Sequence, residues 1–303
     1  MNAQLTFVHA LSPLHAGIGQ GAGVIDLPIA REKATGIPFL PGSSLKGALR
    51  TRAFNGDQKE TYLPIFGPDN PAVEENRASL VQFSDQRLLL FPVRSLAGTF
   101  AWVTSPLVLR RLRREMEDTQ IDVARLTIPE VPDNGTCLLA RQDSALTWQA
   151  PNGSKEYRVY LEDLDLNARP DPNATAIWAE WLATTLYPRN QDKEWRDMLT
   201  TRLCLVHDDL FTFLVTNATE VTARIRLQEE VKTVQQGGLW YEEALPAESI
   251  LSGLVLAMPS SKRGYSIQQI LRLLRQLSSR TIQLGGKATV GRGLCRVQFA
   301  GQE

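Results

Sequence analysis

One segment limits the folds open to this chain more than any other. Residues 12–42 carry Gly17, Gly19, Gly21, Gly23 and Gly36 together with Pro13, Pro28, Pro38 and Pro41. Glycine costs conformational entropy in a regular element and proline removes an N–H donor, so neither a helix nor a paired strand runs easily through it. So long an irregular stretch is unusual inside a compact domain, and such loops are commonly functional. Before it, Leu5 to His9 alternates and is β-rich, which reads as a strand. After it, Ser43 or Ser44 is expected to cap a helix running to about Phe54, with Leu45, Ala48 and Leu49 on one face. Lys46 and Arg50, four apart, share a face of that helix.

The rest of the chain reads as short elements. Ser79 to Phe83 and Leu88 to Val93 are expected strands joined at Asp85-Gln86, and Thr99 to Val103 is another. A helix over 106–118 carries Arg110, Arg111, Arg113 and Arg114. Residues 119–155 are polar and rich in turn formers, as an insertion would be. Tyr157 to Leu161 reads as a strand, Ala174 to Leu186 as an amphipathic helix, and shorter helices lie near 192–201 and 208–216. Thr219 to Leu227 alternates, Gln228 to Gln236 is polar, and Leu239 to Leu245 is extended again, which describes a long hairpin. Ser249 to Ala257 is a strand. Positions 267, 270, 271, 274 and 277 are apolar at helical period. Thr281 to Leu284, the loop GGKATVGRG (285–293) and a strand over 294–299 finish the chain. This order suits an α+β, ferredoxin-like core with insertions.

Composition removes several function classes. The 303 residues hold 33 basic and 33 acidic side chains, which argues against histone-like coating of nucleic acid but allows a local basic groove. Cys137, Cys204 and Cys295 form no C-x-x-C pair, so they read as buried thiols in a reducing cytoplasm. The N-terminus has no signal-peptide pattern and no apolar run is long enough to span a bilayer. No G-x-S-x-G or H-E-x-x-H occurs, and the histidines are only His9, His15 and His207.

Four places remain where chemistry could sit. In PGSSLKGALR (41–50), a capped helix start favours a phosphate, and Lys46 and Arg50 extend the positive charge; an ordinary surface helix is the commoner alternative. In 285–293, Gly285, Gly286 and Gly291 permit close backbone approach, and Lys287 and Arg292 are cationic; the alternative is a plain turn. In HAGIGQGAGVID (15–26), His15 could stack on a base or donate to a phosphate. Asp26 is the only carboxylate between residues 1 and 31. It could hold a divalent ion if phosphate oxygens complete the shell, or assist proton transfer, whereas most such aspartates are turn residues. In GGLWYEEALP (237–246), Trp240 and Tyr241 offer faces for a base. Period two puts Trp240 with Glu242 on one side and Tyr241 with Glu243 on the other. The alternative there is a hairpin with packed aromatics and solvent-facing acids.

These residues resemble a known family. LHAGIGQGAGVIDLPIAREKATGIPFLPGSSLKGALR (14–50), LLLFPVRSLAGTFAWVTSP (88–106), ATEVTARIRLQEEVKTVQQGGLWYEEALPAESIL (218–251) and LGGKATVGRGLCRV (284–297) are similar to the RAMP backbone subunit of type III-B (Cmr) CRISPR effector complexes. The resemblance implies an RRM-like core (1–118 and 246–303), an inserted helical lid region (119–217) and a protruding thumb hairpin (218–245). It implies copies stacked in a helical filament along a CRISPR guide RNA, together with other Cmr subunits, cutting a complementary single-stranded target RNA at regular intervals. Carried over, Asp26 is the catalytic and metal-holding residue, with Mg²⁺ or Mn²⁺ as cofactor. Ser43, Lys46, Arg50, His15, Gly285, Gly286, Lys287, Gly291 and Arg292 line the RNA, and Trp240, Tyr241 and Glu242 belong to the thumb that wedges the duplex. The readings that compete are a non-catalytic RNA scaffold, a repeat-processing endoribonuclease working without metal, and a type III-A backbone subunit.

Overall fold

The computed structural model describes residues 3–19, 21, 24–56, 59–68, 78–149, 157–227 and 234–300. The chain enters a large sheet with β1 (Ala3–Ala10), crosses the glycine- and proline-rich segment, returns at β2 (Phe39–Leu40) and turns into helices α1 (Gly42–Phe54) and α2 (Lys59–Phe66). Strands β3 (Val81–Phe83), β4 (Gln86–Arg94) and β5 (Phe100–Thr104) precede α3 (Pro106–Asp118). The middle supplies β6 (Thr136–Leu139), β7 (Trp148–Gln149), β8 (Tyr157–Leu161), β9 (Leu164–Pro170), α4 (Ala174–Leu186), α5 (Lys193–Arg202), β10 (Leu203–Val206) and α6 (Asp208–Asn217). β11 (Glu220–Leu227) and β12 (Val234–Ala244) pair only with each other as strands. β13 (Ile250–Ala257), α7 (Ile267–Ser278), β14 (Ile282–Gln283) and β15 (Leu294–Phe299) follow.

The architecture is mixed α+β around one 13-stranded sheet, ordered β14-β15-β1-β13-β4-β5-β10-β6-β9-β8-β7, with β2 also on β4 and β3 also on β13. β1 lies between β13 and β15, antiparallel to both, and β4 is antiparallel to β13. α1 and α7 therefore each carry the chain over a neighbouring strand. Pairing inside the middle region is partly parallel, β10 with β5 and β6 with β9, which makes the sheet mixed. Residues 119–217 thus extend the same sheet, and their apolar side chains join the same core. α4 and the start of α5 cover the β1 face, where Phe7 meets Trp181 edge-on and His9 meets Tyr187 and Trp195. All three cysteines are free and buried. Among the described residues no helix is long and apolar enough to cross a membrane.

Local chemistry explains the boundaries of α7. α7 begins with a capping box, Ser266 and Gln269 each bonding the other's main chain, and buries Ile270, Leu274 and Leu277 as its period requires. Two expectations need correction. First, neither Ser43 nor Ser44 caps α1. The cap position is Pro41, Ser43 is exposed, and the Gly42 N–H donates to Asp85 Oδ1 at 2.9 Å. A carboxylate of the protein already holds a donor at that helix start, so it is not a vacant phosphate cradle. Second, β3 and β4 are not partners joined at Asp85-Gln86. Both run along β13, so they form one interrupted strand. The interruption is where α1 presses in: a Cβ on Gly42 would stand 2.3 Å from the Phe83 carbonyl oxygen. β10 and β6, absent from the sequence reading, are short apolar runs whose period alone assigns nothing; α2, also absent, carries Pro64, which argues against a helix.

Candidate nucleic-acid interface

The glycine-rich segment reaches the hairpin at Asp26. Residues 26–29 lie beside β12: the Leu27 N–H donates to the Tyr241 carbonyl at 3.1 Å and the Glu243 N–H to the Leu27 carbonyl at 3.0 Å. Asp26 Oδ2 accepts the Tyr241 N–H at 2.7 Å, and the Asp26 carbonyl accepts the Gly21 N–H at 2.9 Å. Asp26 remains exposed. It lines a cleft of about 410 Å³ with Leu27, Arg226, Leu239, Trp240 and Lys287 among its walls. One carboxylate thus shares an open cleft with two cations and an indole.

The paired acids do not face solvent, as the simplest reading of a hairpin would have them. Glu242 and Glu243 are each 2% exposed, and they point to opposite sides of β12. Glu242 shares its side with Trp240, as the spacing predicts, and takes the Trp240 Nε1–H at 2.8 Å. Lys287 Nζ sits 2.8 Å from Glu242 Oε1, and Arg224 Nε 3.4 Å from Oε2. Arg292 Nε lies 4.0 Å from Oε2, while Arg292 Nη2 reaches Glu220 at 3.2 Å and Thr222 at 3.0 Å. Burial alone would push the Glu242 carboxyl up. Hydrogen bonds from Lys287 and Trp240 and the charges of Lys287 and Arg224 outweigh it, and hold the group down at about 2. Glu243 serves the other loop: it accepts from Ile29 N at 3.1 Å and Thr219 Oγ1 at 2.9 Å, and pairs with Arg31 at 2.5 Å.

The remaining sequence candidates divide into two groups. His15 joins the hairpin root. It is 6% exposed, its Nδ1 lies 2.6 Å from the Glu243 carbonyl, and its own carbonyl accepts the Gly286 N–H at 2.9 Å. A carbonyl only accepts, so His15 Nδ1 carries a proton. Gly285 has φ +69° and a Cβ there would stand 2.4 Å from the His15 oxygen, so only glycine fits. Arg292 is turned inward, its side chain 5% exposed. Ser43, Lys46 and Arg50 sit on α1 and none lines the cleft. Lys46 is half-buried, and burial together with the Arg50 charge pushes its ammonium down. Arg50 lies over the Phe54 ring at 4.4 Å. Gly291 has φ +79° with open space around it.

Sequence reasoning missed Arg226, Leu239 and Arg31. The alternation Arg224-Ile225-Arg226 in a strand beside the aromatics was the available signal for the first. Arg31 carries no local signal, because its partner is 212 residues away.

No group of three or more His, Cys, Asp or Glu side chains able to hold a metal occurs among the described residues. Asp26 is a single carboxylate with one oxygen bonded to Tyr241 N, so an ion here requires most of its ligands from RNA oxygens or water.

The fold and the cleft define a class: the chain belongs to the RAMP superfamily, whose family model matches residues 7–296. Within it the chain is 34% identical over 301 residues to the CRISPR system Cmr endoribonuclease Cmr4 of Pyrococcus furiosus, covering 98% of this chain and 95% of that protein. The crystal structure of oligomeric Cmr4 from Pyrococcus furiosus superposes with TM-score 0.69 at 27% identity, covering 99% of this chain and 98% of that one. A cryo-EM structure of type III-B Cmr-beta bound to cognate target RNA shares the fold, with TM-score 0.71 at 21% identity over 98% of this chain and 96% of that chain.

Proposed function

We propose that this chain is a guide-RNA-binding backbone subunit of a type III-B CRISPR ribonucleoprotein, and that it cleaves complementary target RNA with Asp26. The observation that carries the reading is the seat of Asp26: an exposed carboxylate pinned to the root of a projecting hairpin, in a cleft with Arg226, Lys287 and Trp240. The full-length relationship to a Cmr endoribonuclease supports it. In this reading the unit β15-β1-β13-β4 with α1 and α7 is the RRM-like core, β11 and β12 form the thumb, and 119–217 is the lid region. Copies of the chain stack along the guide beside other Cmr subunits in the cytoplasm. Ser43, Lys46, Arg50, Gly285, Gly286 and Gly291 face the guide.

The chemistry follows from the cleft's contents. Trp240, Tyr241 and Leu239 offer apolar faces that a splayed base can use. A splayed nucleotide frees its 2′-OH to line up with the next phosphorus, a geometry regular A-form RNA does not reach. The 2′-oxygen–phosphorus bond forms, the bond to the 5′-oxygen breaks, the 2′-OH proton leaves to a base, and the 5′-oxygen takes up a proton. Arg226 and Lys287 stabilise the charge on the phosphate oxygens. Asp26 takes the 2′-OH proton directly or through water. Asp26 would hold a Mg²⁺ or Mn²⁺ ion, which would supply further charge neutralisation.

The test is Asp26→Asn in a reconstituted complex, with target binding and fragment end-groups measured separately. Loss of cleavage with binding kept, and 2′,3′-cyclic phosphate ends at fixed intervals from the unaltered complex, support the proposal. Persistence of both binding and cleavage leaves the chain as a non-catalytic RNA scaffold.

A further inference from the structure

We propose that Arg31 and Glu243 are positioning residues whose ion pair sets where Asp26 stands relative to the hairpin. The inference rests on the assignment of Asp26 to the reaction. Residues 26–29 hold to β12 through two main-chain bonds, Leu27 to Tyr241 and Glu243 to Leu27. The next carbonyl on this side of β12, that of Glu243, is taken by His15 Nδ1 at 2.6 Å. The Glu243 carboxylate then accepts the Ile29 N–H in place of main chain, at 3.1 Å. A side chain thereby completes the seat of the segment that carries Asp26.

The same carboxylate gathers the parts that must keep register. Its Oε1 takes Thr219 Oγ1 at 2.9 Å, between α6 and β11, and Arg31 Nη2 at 2.5 Å. Arg31 Nη1 donates to the Val215 carbonyl at 3.0 Å in the last turn of α6 and to the Gly36 carbonyl at 2.9 Å. One pair thus ties the stem of the Asp26 loop, the end of α6 and both strands' bases. Glu243 is 2% exposed, so its charge is compensated by Arg31 rather than by water. Neutralising either partner releases the loop stem from the hairpin while leaving the Asp26–Tyr241 bond chemically possible. A shift of about 1 Å at a reacting group costs on the order of a hundredfold in rate.

The experiment uses the full chain in a reconstituted Cmr complex carrying Glu243→Gln, Arg31→Lys, Asp26→Asn or the Asp26→Asn/Glu243→Gln double substitution. Single-turnover cleavage, target affinity and amide exchange over residues 24–31 are read separately. Expected for Glu243→Gln are cleavage slowed about ten- to hundredfold, affinity within about twofold, and faster exchange at Leu27 and Ile29. Arg31→Lys keeps a charge and recovers part of the rate. The double substitution is no slower than Asp26→Asn alone, because the pair acts through Asp26. Unchanged cleavage by Glu243→Gln beside a slow Asp26→Asn overturns the inference alone. Equal loss of affinity and rate, or an additive double substitution, also overturns it. A wild-type rate for Asp26→Asn overturns the Asp26 assignment instead, and the inference falls with it.

Discussion

The Asp26 carboxylate and the Tyr241 main-chain N–H are joined by a 2.7 Å hydrogen bond that spans 215 residues of sequence. The bond seats the one exposed acid of the glycine-rich loop on the β11–β12 hairpin, so loop and hairpin form a single cleft.

Asp26→Asn keeps an oxygen for the Tyr241 N–H and loses the charge. The cleft stays folded, target binding stays within about twofold, and single-turnover cleavage falls roughly 10²–10⁴-fold, the range for losing a positioned proton acceptor. Quantifying products against time on a multi-site target checks the outcome. An undiminished rate rules out the catalytic role.

Acid should undock the hairpin from the 285–293 loop. Glu242 titrates at about 2, below its ordinary 4.5, so its bonds to Lys287 and Trp240 stabilise the fold fully above pH 4.5. That contribution, on the order of 3 kcal/mol, is lost progressively as pH falls from 4.5 toward 2. Amide exchange of residues 220–226 and 239–244 across this window measures it. Glu242→Gln lacks the pH dependence, and a variant that titrates like the parent contradicts the assignment.

Two glycines of one loop should behave differently. Alanine at Gly285 combines φ +69° with a 2.4 Å approach to the His15 oxygen, and should cost on the order of 2–4 kcal/mol. Alanine at Gly291 meets nothing within 4 Å, so only its φ of +79° matters and about 1 kcal/mol is expected. Chemical denaturation of both variants gives the comparison, and equal losses would show that the His15 contact is not limiting.

Arg226→Ala should leave stability within about 0.5 kcal/mol, since the side chain is exposed. If it meets a phosphate, the slope of log affinity against log salt falls by about 0.7–1. RNA titrations at several salt concentrations test this, and an unchanged slope removes Arg226 from the interface.

Much of the local structure was legible because it is local. The helix over Ala174–Leu186 is predicted to the residue, and α7 is set by the period of Ile267, Ile270, Leu274 and Leu277. The hairpin spacing placed Trp240 and Glu242 on one side. The start of α1 misled, because its cap comes from Asp85, 43 residues on. The depth of Glu242 and Glu243 was not legible either: two adjacent acids leave burial open until Lys287, Arg224 and Arg31 are seen beside them.

The sequence by itself determined the longer, strongly periodic elements such as α4 and α7, that Asp26 stands alone on an uncharged loop, and that the chain resembles the RAMP family, since these need only neighbours along the chain. Tertiary structure decided which acid stays exposed and which two are buried. Local periodicity carries no information about the distant groups that neutralise a charge, and a carboxylate enters the interior only where such groups converge on it.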